Sequence, residues 1–282
     1  MYVAVQGGQW PWRRERELMK EVGAEVIAAD SAWAGARRLA LRAPGIVREA
    51  APGQFIIVAC AADPLGGTPL LRRALWIAGM SQAAGDLVAL YTVVGRGTRW
   101  LASRGQGDIV RVLGPIGRPL SVDDKTRRVL LVGRGVAGLA PLLGLAADLA
   151  GRGLAVTLLA DAPTAADLPP AALLHHEVEY LVATADGSAG KAGSVLDLVP
   201  TYLSWADQVC AALPLADYEP LLALVRKGTL RPRPTFVQAL YSGQVAVPCA
   251  TGACDGCTVR TRDGYRRLCR DGAVFALPEL VG

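Results

Sequence analysis

From residue 33 to residue 121 the apolar positions fall in short runs, broken every few residues by glycine, proline or charge. Strands are predicted at Arg38–Leu41, Gln54–Ala59, Ala74–Ala78, Asp86–Val94 and Asp108–Leu113, with turns at Pro52-Gly53 and Gly66-Gly67. Short strands without intervening helices predict a small β barrel. After residue 127 the pattern becomes one of strands alternating with helical stretches. Arg128–Val132, Val156–Ala160, Val178–Ala183 and Gln208–Ala211 read as strands, and Leu139–Ala150 reads as an apolar helix ended by Gly151. Such alternation predicts a doubly wound parallel sheet, whose ligands lie outside the carboxyl ends of its strands. Near the C-terminus, Thr258–Arg262 and Tyr265–Leu268 flank Asp263-Gly264, a strong two-residue hairpin signal.

These patterns divide the chain into an N-terminal extension (1–32), a β-barrel domain (33–121), an α/β domain (122–240) and a small C-terminal module (241–282). A length of 282 residues with 52% hydrophobic content suffices for two moderate cores and a cofactor-stapled module, domains usually running to about 100 to 150 residues. The extension carries Trp10 and Trp12, with Trp33 at its edge, which suit packing on the barrel or docking a partner. A Pro-rich stretch at Arg231–Pro234 is expected to lead into the last strand of the α/β domain.

The C-terminal module holds the most specific chemistry. Four of the six cysteines lie there, three of them spaced C-x4-C-x2-C at Cys249, Cys254 and Cys257. This is the plant-type spacing of a loop that wraps a [2Fe-2S] cluster. A tight hairpin after Cys257 returns the chain to Cys269, the expected fourth ligand. A four-thiolate zinc site is the competing reading, but zinc sites usually pair two knuckles, whereas three of these ligands share one loop. Cys60 lies in an apolar strand and reads as a buried small hydrophobe; Cys210 admits the same reading. His175 and His176, the only histidines, are expected at a solvated turn.

The net charge of +5 is spread over scattered pairs such as Arg37-Arg38, Arg127-Arg128 and Arg266-Arg267, without the clustering and aromatic interleaving of a nucleic-acid face. Neither a secretory leader nor an uninterrupted apolar run of about 20 residues appears, so a cytoplasmic protein without a membrane span is expected. Two glycine turns are candidate phosphate sites. Gly95-Arg-Gly97-Thr98 precedes a short predicted helix capped by Thr98, although the same turn also suits a plain hairpin. Gly133-Arg-Gly135-Val-Ala-Gly138 follows the first strand of the α/β domain with dinucleotide-fingerprint spacing, a weak signal on its own.

The order of these parts resembles the electron-transfer subunit family of dihydroorotate dehydrogenase, within the ferredoxin-reductase-like superfamily, over roughly residues 35 to 278. The likeness rests on Pro52–Val58, Leu70–Ile77, Val93–Thr98, Leu113–Gly117 and the C-x4-C-x2-C-x11-C spacing. It implies FAD, one [2Fe-2S] cluster and NAD as cofactors, and a catalytic flavoprotein partner in a hetero-oligomer serving pyrimidine biosynthesis. Arg73 would pair with the FAD diphosphate, and Gly95, Gly97 and Thr98 would face it. Trp76 stands where the family has a flavin-facing serine, and Ala74 replaces a proline. Gly133 and Gly135 fall on the nucleotide turn, with Arg134 inserted and one residue added; Asp161 falls at the ribose-reading position, and Cys210 begins an altered Cys-Gly-Pro motif, now Cys210-Ala-Ala-Leu-Pro214. No acid-base constellation is required, since the chemistry belongs to the cofactors.

The expected function is therefore relay of electrons between a catalytic subunit and NAD(H). Two other readings stand beside it: a degenerate, cluster-bearing structural subunit without nucleotide turnover, and a diaphorase subunit of a hydrogenase or transhydrogenase.

Overall fold

The computed structural model describes residues 19–60, 71–228, 236–238 and 246–281. The Trp10–Trp12 segment, Leu70, the Gly66-Gly67 turn and the Arg231–Pro234 stretch lie outside the described residues.

Six antiparallel strands close a barrel in the order β1-β2-β5-β4-β3-β6: β1 (Lys20–Trp33), β2 (Ala36–Arg42), β3 (Phe55–Val58), β4 (Arg73–Ser81), β5 (Asp86–Tyr91) and β6 (Ile109–Ile116). A one-turn helix, α1 (Pro44–Val47), plugs one end through buried Ile46 and Val47. Alternate residues of each strand fill the interior, among them Leu39 and Leu41, Ile56 and Val58, Leu75 and Ile77, and Leu87, Ala89 and Tyr91. The residues between them, Phe55, Ile57, Trp76, Leu90 and Ile116, belong to a second buried cluster shared with the α/β domain. The barrel begins at Lys20 and not near residue 33, so the expected extension supplies its own strand from that point. Strand β1 hydrogen-bonds to both β2 and β6 and closes the cylinder.

The α/β domain is built on a seven-stranded sheet of order β10-β9-β8-β7-β11-β12-β15. Its strands are β7 (Arg128–Arg134), β8 (Ala155–Ala162), β9 (Val178–Thr184), β10 (Lys191–Ala192), β11 (Gln208–Ala212) and β12 (Phe236–Gln238), all parallel, and β15 (Val274–Ala276), antiparallel to β12. The chain winds from β7 outward to β10 and then crosses back to β11, so the strand order reverses beside β7. At such a reversal the flanking connections leave in opposite directions and open a crevice. Helix α2 (Arg96–Ala102) belongs to the barrel, and α3 (Gly135–Gly151) follows β7 directly. Gly138 and Gly144 set the position of α3. A Cβ at Gly138 would lie 2.2 Å from the Ala212 carbonyl oxygen, and one at Gly144 would lie 2.9 Å from that of Ala78. The missing side chains let α3 press on β11 and on barrel strand β4, fixing the two domains against one another. The Trp33 indole adds a tie, donating to the Asp167 carbonyl at 2.9 Å.

The C-terminal module contains the expected hairpin, β13 (Thr258–Thr261) and β14 (Gly264–Arg267), but Thr261 pairs with Gly264, so the two turn residues are Arg262 and Asp263, one position earlier than the Asp263-Gly264 expected. It is less separate than the sequence division suggests, because its β15 completes the large sheet. Short helices α4 (Val199–Leu203), α5 (Tyr218–Gly228), α6 (Leu268–Asp271) and α7 (Leu277–Leu280) complete the described chain.

Candidate functional site

The cysteine loop is held in an unusual backbone shape. Ala250, Gly252 and Asp255 all have positive φ, at 60°, 78° and 53°, a conformation that side chains other than glycine resist. These reversals turn successive amides inward. Thr251 and Ala253 amides point to the Cys249 sulfur, the Gly256 amide lies 3.4 Å from Cys254 Sγ, and the Cys269 amide points to Cys257, while the Leu268 amide donates to the Cys257 carbonyl at 3.0 Å. Arg267 clamps the loop by donating to the Gly252 carbonyl at 2.9 Å and to Asp255 at 3.3 Å. Burial opposes ionisation of Cys249, but the Thr251 hydroxyl, Cys254 and these amides bring its thiol down to about 6. Cys257 also falls to about 6, chiefly through its contact with Cys269, whose own thiol is pushed up in return.

The sulfurs converge in pairs. Cys257 and Cys269 Sγ stand 3.4 Å apart, too far for a disulfide of about 2.05 Å and close to the ~3.7 Å expected of two thiolates on one tetrahedral metal with bonds of about 2.3 Å. Cys249 and Cys254 form the other pair. Among the described residues no three ligand side chains converge on a single-ion site. Two pairs with inward amides match a two-iron cluster, which takes two thiolates on each iron, better than one tetrahedral zinc. Cys254 is exposed while Cys257 and Cys269 are buried, so the site reaches the surface at one edge. Beside that edge an open groove of about 630 Å³ is lined by Asp255, Thr258, Tyr265, Arg266, Arg267 and Asp271.

On the barrel, the structure brings Arg73 and the Gly95–Thr98 turn together. The guanidinium lies directly over Gly97, where an added Cβ would be 2.6 Å from Nε and 2.8 Å from Cζ and Nη2. Its Nη1 donates to the Leu71 carbonyl at 2.5 Å, and its Nε and Nη2 find no partner among the described residues. The space beside Gly95 is open, and Leu71, Val93 and Val94 are exposed next to it. This cradle of a guanidinium anchored through Nη1 alone, an open glycine and apolar rims fits a diphosphate-bearing cofactor. Thr98 differs from expectation: it sits inside the first turn of α2, and its buried hydroxyl accepts from the Val94 and Gly95 amides at 3.0 and 3.1 Å. It shapes the turn and does not face outward. Trp76 is buried on the outer face of the barrel and meets Phe55 edge-on at 5.6 Å.

In the α/β domain, Gly133 lies within β7 with α3 packed over it, and Gly135 opens α3 with φ +60° and open space beside it. Asp161 ends β8 as expected, yet its carboxylate is fully engaged. Arg134 Nε and Nη2 donate to it at 2.9 and 2.8 Å, and the Val195 amide donates at 2.8 Å. Arg134 also pairs with Asp217 through Nη1 and donates to the Ser194 hydroxyl at 2.6 Å. Asp217 and Ser194 carry no signal in the sequence, since neither falls in a motif. Cys210 is not among the residues this cluster brings together. It lies mid-strand in β11, fully buried among Val129, Leu131 and Leu139, with its thiol pushed up to about 12 by burial. His175 and His176 stack on one another at 4.5 Å, with His176 exposed, as expected of a turn.

A closed antiparallel barrel, a parallel sheet with its strand-order reversal at β7 and a paired-cysteine loop define a ferredoxin-reductase-like electron-transfer chain. Residues 246–281 match the iron-sulfur cluster binding domain of dihydroorotate dehydrogenase B. The chain is 34% identical over 273 residues to the electron transfer subunit of dihydroorotate dehydrogenase B (NAD(+)) from Geobacillus thermodenitrificans, covering 94% of this chain and 98% of that one. The corresponding Geobacillus kaustophilus subunit is 35% identical over 241 residues, 82% of this chain and 86% of that one. This chain belongs to the family of dihydroorotate dehydrogenase B electron transfer subunits. Among solved structures, the NADH-dependent reduced ferredoxin-NADP oxidoreductase superposes with a TM-score of 0.77 at 25% identity, over 92% of this chain and 90% of that one. The ferredoxin reductase of carbazole 1,9a-dioxygenase shares the fold, with a TM-score of 0.63 at 22% identity over 76% and 67% of the two chains. No helix among the described residues is long and apolar enough to cross a membrane.

Proposed function

We propose that this chain relays electrons between NAD(H) and a catalytic dihydroorotate-oxidising subunit, using FAD on the barrel and a [2Fe-2S] cluster on Cys249, Cys254, Cys257 and Cys269. The observation that carries this reading is the pairing of the four sulfurs beneath inward-pointing amides, which suits two irons and reaches the surface at Cys254. A bound flavin exchanges a hydride as two electrons, and a cluster passes them one at a time. The chain's own residues position and shield. Arg73, seated over Gly97, and the open edge at Gly95 would hold the diphosphate, Thr98 fixes that turn, and Trp76 would wall the barrel side of the ring. The exposed Tyr265, with the groove beside Asp255, offers the cluster-side surface to the partner.

The test is analysis of anaerobically purified protein. Two irons, two acid-labile sulfides and one FAD per chain are expected, with Cys269→Ser losing iron and sulfide while keeping FAD. Stoichiometric zinc without sulfide would falsify the cluster assignment. Absence of flavin from the wild type, together with its uptake by Trp76→Ser, would show that the indole occupies the flavin position.

A further inference from the structure

Arg134 is the one residue inserted into the nucleotide turn that the relay does not use, and its side chain crosses the carboxyl edge of the sheet where the strand order reverses. Its backbone ends β7, its guanidinium holds Asp161 at the end of β8, and it reaches Asp217 in the turn that follows β11. With Ser194 included, four of the five N–H donors a guanidinium carries are engaged within the chain. The guanidinium is only partly exposed, at 30%, and Asp161 is at 6%. The crevice in which a nucleotide would lie is thus bridged by a half-buried, bidentate ion pair.

We propose that Arg134 is an intramolecular latch that competes with pyridine nucleotide for this crevice and for Asp161, and so sets nucleotide affinity and selectivity. The inference rests on the reading that this half of the chain binds NAD(H). With the latch closed, the acidic group at the ribose position is neutralised and saturated, so it neither accepts a ribose hydroxyl nor repels a 2′-phosphate. With the latch open, Asp161 does both. A latch closed nine times in ten lowers apparent NADH affinity about tenfold, because only the open fraction offers Asp161 to the ribose, whereas for NADPH the gain in open crevice is offset by the repulsion of its 2′-phosphate by the freed carboxylate.

The experiment titrates NADH and NADPH separately into the cofactor-loaded wild type, Arg134→Ala and Asp217→Asn under anaerobic, non-turnover conditions, reading dissociation constants by calorimetry. Arg134→Ala is expected to bind NADH about tenfold or more tightly and to gain little for NADPH, so that the selectivity ratio rises. Asp217→Asn, which leaves Asp161 paired, is expected to tighten NADH by a smaller factor. Weaker or unchanged NADH binding in Arg134→Ala overturns the latch while leaving the NAD(H) reading intact. If Arg134→Ala does not fold, unchanged or weaker binding in Asp217→Asn overturns it equally. Absence of nucleotide binding in wild type and variants alike overturns the NAD(H) reading and the latch with it.

Discussion

Gly97→Ala tests whether the guanidinium of Arg73 holds the flavin cofactor. Gly97 lies in the first turn of α2 with ordinary helical backbone, so alanine carries no conformational strain there and favours the helix by up to ~1 kcal/mol. The new methyl, however, would sit 2.6 to 2.8 Å from three atoms of the Arg73 guanidinium. That group is the far end of a flexible side chain, so it swings away and the barrel need not move. What is lost is a charge-assisted contact to the diphosphate, worth about 1.5 to 3 kcal/mol. At 1.4 kcal/mol per decade this is roughly a 10- to 100-fold rise in the FAD dissociation constant. Arg73→Ala should show the same loss, and the double variant should lose no more than either single one, because both remove a single contact. The assay is reconstitution of flavin-stripped protein followed by flavin fluorescence, with a melting curve as the control for folding. Unaltered FAD affinity in Gly97→Ala, alongside a clear loss in Arg73→Ala, would refute the geometry. A fall of several degrees in melting temperature would instead mean that the methyl disturbs the fold.

Gly138→Ala places a methyl within 2.2 Å of a backbone oxygen that has no freedom to move aside, so α3 must retreat from β11. The expected cost is about 1 to 3 kcal/mol, visible as a melting temperature lower by several degrees, and an unchanged melt would show that the helix is not so closely seated. Cys210 is raised to about 12 in the folded chain, from an ordinary thiol value near 9, by burial. The native state therefore keeps this proton where the unfolded chain releases it: the contribution is complete below about pH 9 and is lost as pH climbs toward 12. Urea denaturation between pH 8 and 11 should show this loss, reduced in Cys210→Ala. In native protein at pH 8, alkylation followed by mass spectrometry should leave Cys210 and Cys60, the latter raised to about 11 by burial, unmodified until denaturant is added. Prompt labelling of either would contradict their burial.

The barrel was legible where its inward positions are large and alternate, as at Leu39 and Leu41 or Leu87, Ala89 and Tyr91. Strand β1 was not, because its barrel-facing residues are small (Val22, Ala24, Val26 and Ala29), it is interrupted by Gly23, and its pairing with β2 shifts register twice. Strand β15 has three residues and exists only through its pairing with β12, so nothing local marks it. The cysteine ligands were legible because their spacing is itself the geometry. For Cys210 the sequence left two readings, a motif residue and a buried small hydrophobe; its parity in β11 puts it, with Ala212, in the core cluster beneath α3. The Arg134 cluster joins residues separated by 27, 60 and 83 positions. No window of sequence contains it, and only the reversal of strand order brings its members together.

The cluster module is sewn into the rest of the molecule by main-chain bonds on two sides. Strand β15 pairs with β12 of the large sheet, and the Arg118 amide, just past the barrel's last strand, donates to the Gly272 carbonyl at 2.8 Å. A ferredoxin on a tether must swing to collect and deliver its electron, and its turnover then slows in viscous solvent. Here the spacing of the redox centres would be a fixed dimension of the architecture, set when the chain folds, with transfer through a rigid medium. Maturation inherits the same constraint: the loop that would receive iron lies between β12 and β15, strands about 40 residues apart that pair with one another, so closing the sheet would also bring the ends of the loop together.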